Sequence, residues 1–101
     1  MMTDEERRLG ADSLLQAERE LKPVQQLSKT FPHIEIEDAY RIQDLWAEAR
    51  IAAGARMVGH KIGLTSRAMQ QASKMTEPDY GRILDDALYN DGAKIPANLF
   101  I

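Results

Sequence analysis

Apolar positions in the middle of the chain recur at helical spacing. Ala39, Ile42, Leu45, Trp46, Ala49, Ala52 and Ala53 fall at i, i+3, i+6, i+7, i+10, i+13 and i+14, a stripe of period 3.6. Glu37 and Asp38 suit the positive end of a helix dipole and Gly54 offers a left-handed stop, so a helix is predicted over 37–53. Upstream, Thr3 followed by Glu6 makes a capping box. Ala11, Leu14, Leu15 and Leu21 share a face behind it, which predicts a helix over 4–21 ended by Pro23. Pro23 can open a second short helix through Ser28, with Val24 and Leu27 inward. Phe31-Pro32-His33 reads as a loop.

After Gly54 the period changes to 2. Val58, Ile62 and Leu64 share one face of a strand predicted over 56–64, with His60 among them, and Met57, Gly59, Lys61 and Gly63 lie opposite. Thr65-Ser66 can cap a short helix over 67–73, with Met69 and Ala72 inward. Glu77-Pro78-Asp79-Tyr80-Gly81 is turn chemistry. Brief strands are expected at 82–85 and 87–89, and Asn90-Asp91-Gly92 signals a tight turn into Lys94-Ile95. The expected class is α+β: helices over 4–54, then a strand, a short helix and a hairpin over 56–101.

Composition narrows the functional classes. The chain has 101 residues, is 44% hydrophobic and carries a net charge of −3, which suits one small core. The mild acidity lacks the clustered Lys/Arg that nucleic acid requires. With no cysteine, disulfides, thiolate zinc sites and cysteine nucleophiles are excluded. No apolar run approaches the ~18 residues of a membrane span, and Met1 to Arg8 has no signal-peptide core, so a cytoplasmic location is expected. Leu99-Phe100-Ile101 is an unusually apolar end, and a chain cut off within an element is the expectation it raises.

The window Gly59-His60-Lys61-Ile62-Gly63 holds the candidate chemistry. Two glycines flank Lys61 on its own face of the strand, where interior glycine often marks close approach of a ligand. A lysine in such a hollow would be partly desolvated, which suits it to proton transfer or to holding an anion. A solvated edge-strand lysine beside bulges fits the spacing equally well. His60 reads as a core histidine and His33 as surface, and no histidine pair has metal-ligand spacing. Asp79 could act as acid, base or lysine partner, or could simply brace its turn. Asp85-Asp86 reads as a solvated turn. Arg67 could clamp an anion or stand exposed in solvent, and Trp46 and the methionines read as core.

Together these segments resemble a known family. Gly59-His60-Lys61-Ile62-Gly63-Leu64-Thr65-Ser66-Arg67-Ala68-Met69, then Glu77-Pro78-Asp79-Tyr80-Gly81, Leu84-Asp85-Asp86 and Asp91-Gly92 are similar to the N-terminal part of the 2-oxo-hept-3-ene-1,7-dioate hydratases. These belong to the hydratase/decarboxylase branch of the fumarylacetoacetate hydrolase superfamily. Ile36-Glu37-Asp38-Ala39-Tyr40 and Ile42-Gln43 match as well, and the likeness runs from about Ala17 onward.

The resemblance implies the N-terminal portion of a larger mixed-sheet catalytic domain, with the whole of 1–101 as one piece of it. It implies a hydro-lyase adding water to a short unsaturated 2-oxo diacid in aromatic-compound catabolism, a divalent cation (Mg²⁺) as Lewis acid, and a homo-oligomer when full length. Lys61 matches the family's active-site lysine and Asp79 falls in its motif near the same pocket, so these are the catalytic candidates; Gly63 and Arg67 are the substrate-binding candidates beside them. The metal glutamates of the family form a Glu-x-Glu pattern expected beyond Ile101. Glu35-Ile36-Glu37 has that spacing but opens a helix outside the motif, so no metal ligand is assigned within the chain and the 101 residues alone are expected to be inactive. Glu35 stands where relatives tend to carry a helix-capping threonine, a change expected to cost about 1 kcal/mol. The alternatives are 2-keto-4-pentenoate hydration, 4-oxalocrotonate decarboxylation and, in another class, a non-enzymatic helical interaction module using the Ala39–Ala53 stripe.

Overall fold

Thr3 begins the first element as its side chain predicts. Its hydroxyl accepts from the Glu6 N–H at 3.1 Å while the Glu6 carboxylate takes the Thr3 N–H at 2.8 Å. The computed structural model describes residues 1–101. From this cap α1 runs Asp4–Glu20. It ends one residue earlier than expected because Leu21 turns left-handed (φ 52°) and the Lys22 N–H reaches back to the Ala17 carbonyl. The stop is therefore a capping turn made ahead of Pro23. The second helix, α2, is Leu27–Thr30. Pro23 does not open it, and Val24 remains exposed.

The long helix, α3, spans Ile36–Ala52, with Gly54 at φ 110° closing it. It packs on α1, where Gly10 permits close approach: a Cβ there would lie 3.1 Å from Ile42 Cδ1. Met2, Ala11 and Ile42 form the core, with Leu14, Leu27, Phe31, Ile34 and Leu45 packed around it. Only part of the predicted stripe is used. Ile42 is buried and Leu45 and Trp46 are half-buried, while Ala39, Ala49, Ala52 and Ala53 face outward.

One buried carboxylate ties the helices together. Asp38 is fully buried and accepts from the Met2 N–H (3.1 Å), the Glu35 N–H (2.9 Å) and Arg7 Nε (2.9 Å). Its Oδ2 thus supplies a cap at the helix start where Glu35 replaces the expected threonine. Burial pushes its pKa up, but the Glu35 and Met2 amides and the Arg7 guanidinium together hold it below the ordinary value. Glu6 is likewise lowered, by the Thr3 amide and then His33, and Asp85 by the Arg56 amide. A carboxylate with a depressed folded-state pKa contributes stability that is present above its unfolded value and disappears as pH falls through the folded one. Thermal melts should therefore be flat near neutrality and fall progressively below about pH 4. An unchanged Tm at pH 3 would contradict this.

The sheet has two antiparallel strands, β1 (Met57–Gly63) and β2 (Asp79–Leu84), with α4 (Arg67–Ala72) between them. Ser66 caps α4, accepting from the Met69 N–H at 3.2 Å. The register pairs Lys61 with Gly81 and Gly63 with Asp79, with an irregularity between Met57 and Gly59.

Several sequence expectations fail here for identifiable reasons. No strand forms at 87–89. Asp85 is held by two bonds to the Arg56 backbone, N–H to carbonyl at 2.9 Å and carboxylate to N–H at 3.0 Å, and the chain turns into the short helical segment Asp85–Ala87. Asp85 is thus a structural brace rather than a solvated turn residue, and Asp86 pairs with Arg50. The Asn90-Asp91-Gly92 turn forms, with Gly92 at φ 78°, but no strand flanks it. His60 is exposed, as are Val58 and Ile62 on its face, Met57 on the other and Met69 of α4, since β2 is the one element packed extensively against β1. The α+β architecture itself is as expected.

The uncovered faces are measurable. The accessible surface is 7628 Å², against about 5,800 Å² for a compact monomer of this mass. The radius of gyration is 14.9 Å, against about 12.7 Å for a compact domain of this length. No helix is long and apolar enough to cross a membrane.

Candidate active site: the lysine and aspartate of the two-stranded sheet

Antiparallel register places directly opposed residues on one face, and their diagonal neighbours within reach of long side chains. Lys61 and Asp79 are such a diagonal pair. Lys61 Nζ lies 3.5 Å from Asp79 Oδ1, with the two side chains 56% and 42% exposed. Asp79 Oδ1 is itself buried, and it is the oxygen that faces the ammonium. Asp79 is therefore paired with the lysine, and β2 rather than a turn places it.

Two glycines lie close under Lys61, but only one of them belongs to the pair that flanks it along the strand. A Cβ on Gly63 would run into Asp79 Oδ1 and lie 3.1 Å from Lys61 Nζ. A Cβ on Gly59 would meet nothing within 4 Å, whereas one on Gly81 would lie 3.1 Å from Lys61 Cγ and 3.3 Å from Cδ. The second glycine under the lysine is thus its cross-strand partner, not its neighbour along the strand. The expected desolvation is not found, since Lys61 is more than half exposed.

Arg67 opens α4, exposed. His33 meets Glu6 at 3.1 Å, on the helical side of the molecule. Trp46 is half-buried, donates to Glu18 and lies under the Arg50 guanidinium at 5.6 Å. A hollow of about 260 Å³ adjoins Asp79, walled by Tyr40, Gln43, Met75 and Tyr80. Neither Tyr40 nor Gln43 is a candidate from sequence pattern alone. The signal that could have found them is polar residues at i, i+3 and i+4 (Tyr40, Gln43, Asp44) on a helix preceding a strand with exposed ladder groups.

No three His, Cys, Asp or Glu side chains gather to hold a metal ion. Asp79 faces an ammonium, and Glu35 faces the chain's own N-terminal amine at 3.3 Å. The residues present do not make a cation site.

No protein-family model matches the chain. It is 48% identical over 93 residues to the 2-oxo-hept-4-ene-1,7-dioate hydratase of Escherichia coli, covering 92% of this chain and 35% of that protein. It is 43% identical over 98 residues to a 2-keto-4-pentenoate hydratase of Paraburkholderia xenovorans, covering 97% and 36%. Its backbone matches the 4-oxalocrotonate decarboxylase of Pseudomonas putida G7, solved with magnesium and adipate, at a TM-score of 0.81 and 29% identity, over 85% of this chain and 33% of that one. The same decarboxylase has been solved with calcium and acetate. The chain is thus similar to these enzymes and spans about a third of the length of the curated relatives it matches.

Proposed function

We propose that this likeness reflects a shared active site, in which the chain is the N-terminal portion of a larger catalytic domain and contributes its lysine–aspartate pair. The reaction is addition of water to a short unsaturated 2-oxo diacid, in aromatic-compound catabolism such as 4-hydroxyphenylacetate degradation. The observation that carries this reading is the Asp79 carboxylate paired with the Lys61 ammonium where Gly63 and Gly81 leave room for them. Lys61 delivers a proton to the substrate carbon that becomes saturated, or steadies the charge developing on the 2-oxo group. Asp79 aims that ammonium and exchanges a proton with it. Gly63 keeps the space clear, and Arg67 meets a substrate carboxylate. A divalent cation fits the 2-oxo acid chemistry of the relatives, with Mg²⁺ the expected ion, and its ligands would belong to other parts of the domain. A cytoplasmic homo-oligomer completes the reading. The relative's name puts the alkene at C4, one carbon beyond the C3 position expected from the sequence.

The test is a chimera in which residues 1–101 replace the corresponding third of the Escherichia coli hydratase. It should hydrate the dienoate substrate, and Lys61→Met or Asp79→Asn should lower kcat by about 100-fold or more. Loss of CO₂ without hydration would favour decarboxylation, and full activity in Lys61→Met would overturn the assignment. A binding module would leave every variant indistinguishable in turnover.

A further inference from the structure

We propose that Gln43 is a positioning residue for the Lys61–Asp79 pair: with Tyr40, it stands in for a neighbouring strand along the outer edge of β2. Alternate residues of an edge strand turn their N–H and C=O groups away from the partner strand. In β2 these include Tyr80 and Arg82, and side chains of α3 meet their groups. The Gln43 amide donates to the Tyr80 carbonyl at 3.5 Å, and its oxygen accepts from the Arg82 N–H at 3.0 Å. The Tyr80 N–H donates to the Tyr40 hydroxyl at 3.4 Å. A carboxamide presents a donor and an acceptor as a peptide unit does, so one side chain reproduces one rung of a ladder.

Neighbouring contacts fix the arrangement. The Tyr40 and Tyr80 rings stack at 4.4 Å, inclined by 12°, and Asp44 pairs with Arg82. Between the two clamped residues sits Gly81. Its missing Cβ would lie 3.7 Å from Gln43 Oε1 on one hand and 3.1 Å from Lys61 Cγ on the other. Gln43 thus bears on the lysine stem through a single glycine, and the strand it clamps carries Asp79 two residues before Gly81. The role rests on the reading that Lys61 and Asp79 work together, but its test is separate from turnover.

The experiment uses the isotope-labelled 101-residue chain in solution. Gln43→Leu removes the carboxamide while retaining bulk, and Gln43→Glu keeps the acceptor for Arg82. In Gln43→Leu the Arg82 amide should exchange about five- to tenfold faster. The nuclear Overhauser contact between the Lys61 methylenes and the Gly81 α-protons should disappear, while the Gly10–Ile42 contact of the helical core persists. In Gln43→Glu, which keeps the acceptor but loses the donor to the Tyr80 carbonyl, the Arg82 protection should remain. A Lys61–Gly81 contact unchanged in Gln43→Leu would overturn the proposal. So would fast exchange of the Arg82 amide in Gln43→Glu with the helical core intact, since its acceptor is retained there, and this second outcome decides the matter if Gln43→Leu loosens the whole fold. Failure of Lys61 to act in catalysis would alter none of these signals.

Discussion

Asp38→Ala is expected to lower the Tm of the chain by more than about 10 °C. Its carboxylate is fully buried and accepts from the Met2 amide, the Glu35 amide and the Arg7 guanidinium, so truncation strands three donors at once. Arg7 is left with only the exposed Asp4, 3.1 Å away. Removing one partner of a buried charge pair costs more than the pair contributes as a unit, because the remaining charge lacks compensation. The double variant Arg7→Met/Asp38→Ala should therefore lose less than the two single losses combined. Circular-dichroism melts of the four proteins decide it. A Tm for Asp38→Ala within about 3 °C of the parent would show that the network carries little.

Gly63→Ala should separate folding from chemistry. The atoms a methyl group would displace are Asp79 Oδ1 and Lys61 Nζ, both ends of side chains that can rotate away. Gly63 has no positive φ, so its backbone tolerates alanine. The fold should survive with Tm within a few degrees, while the lysine–aspartate geometry does not. In the chimeric hydratase this predicts a loss of about 100-fold in kcat. Gly59→Ala, with open space at its Cβ position, should stay within about twofold of the parent, since nothing there needs to move. Equal losses at both positions would mean that the flanking glycines along the strand matter and the cross-strand geometry does not.

The contrast between those glycines shows what the sequence could and could not disclose. The capping box of Thr3 and Glu6, the long helix before Gly54 and the strand around Lys61 were legible because their causes lie within a few residues. Which glycine underlies Lys61 was not, since Gly81 reaches it only through strand pairing across α4, and register is a long-range property. The strand expected at 87–89 failed for the same kind of reason: Asp85 bonds to Arg56, far back along the chain. His60 read as a core residue because Val58 and Ile62 alternate with it, yet all three are exposed. An alternating pattern reports that a face is apolar, not that anything covers it. Lys61 and Asp79 were individually visible as candidates, whereas Gln43 is a polar residue at the margin of an apolar helical stripe, beside Ala39 in the same hollow, and its partners lie across the chain on β2.

The occupation of Tyr80 and Arg82 by α3 side chains gives the sheet a direction of growth. With that margin closed by a helix, any third strand, whatever its source, can lengthen the ladder only alongside β1. It would enclose Lys61 from the flank that is now open, so the lysine lies in an interior row of the enlarged sheet and not at its border.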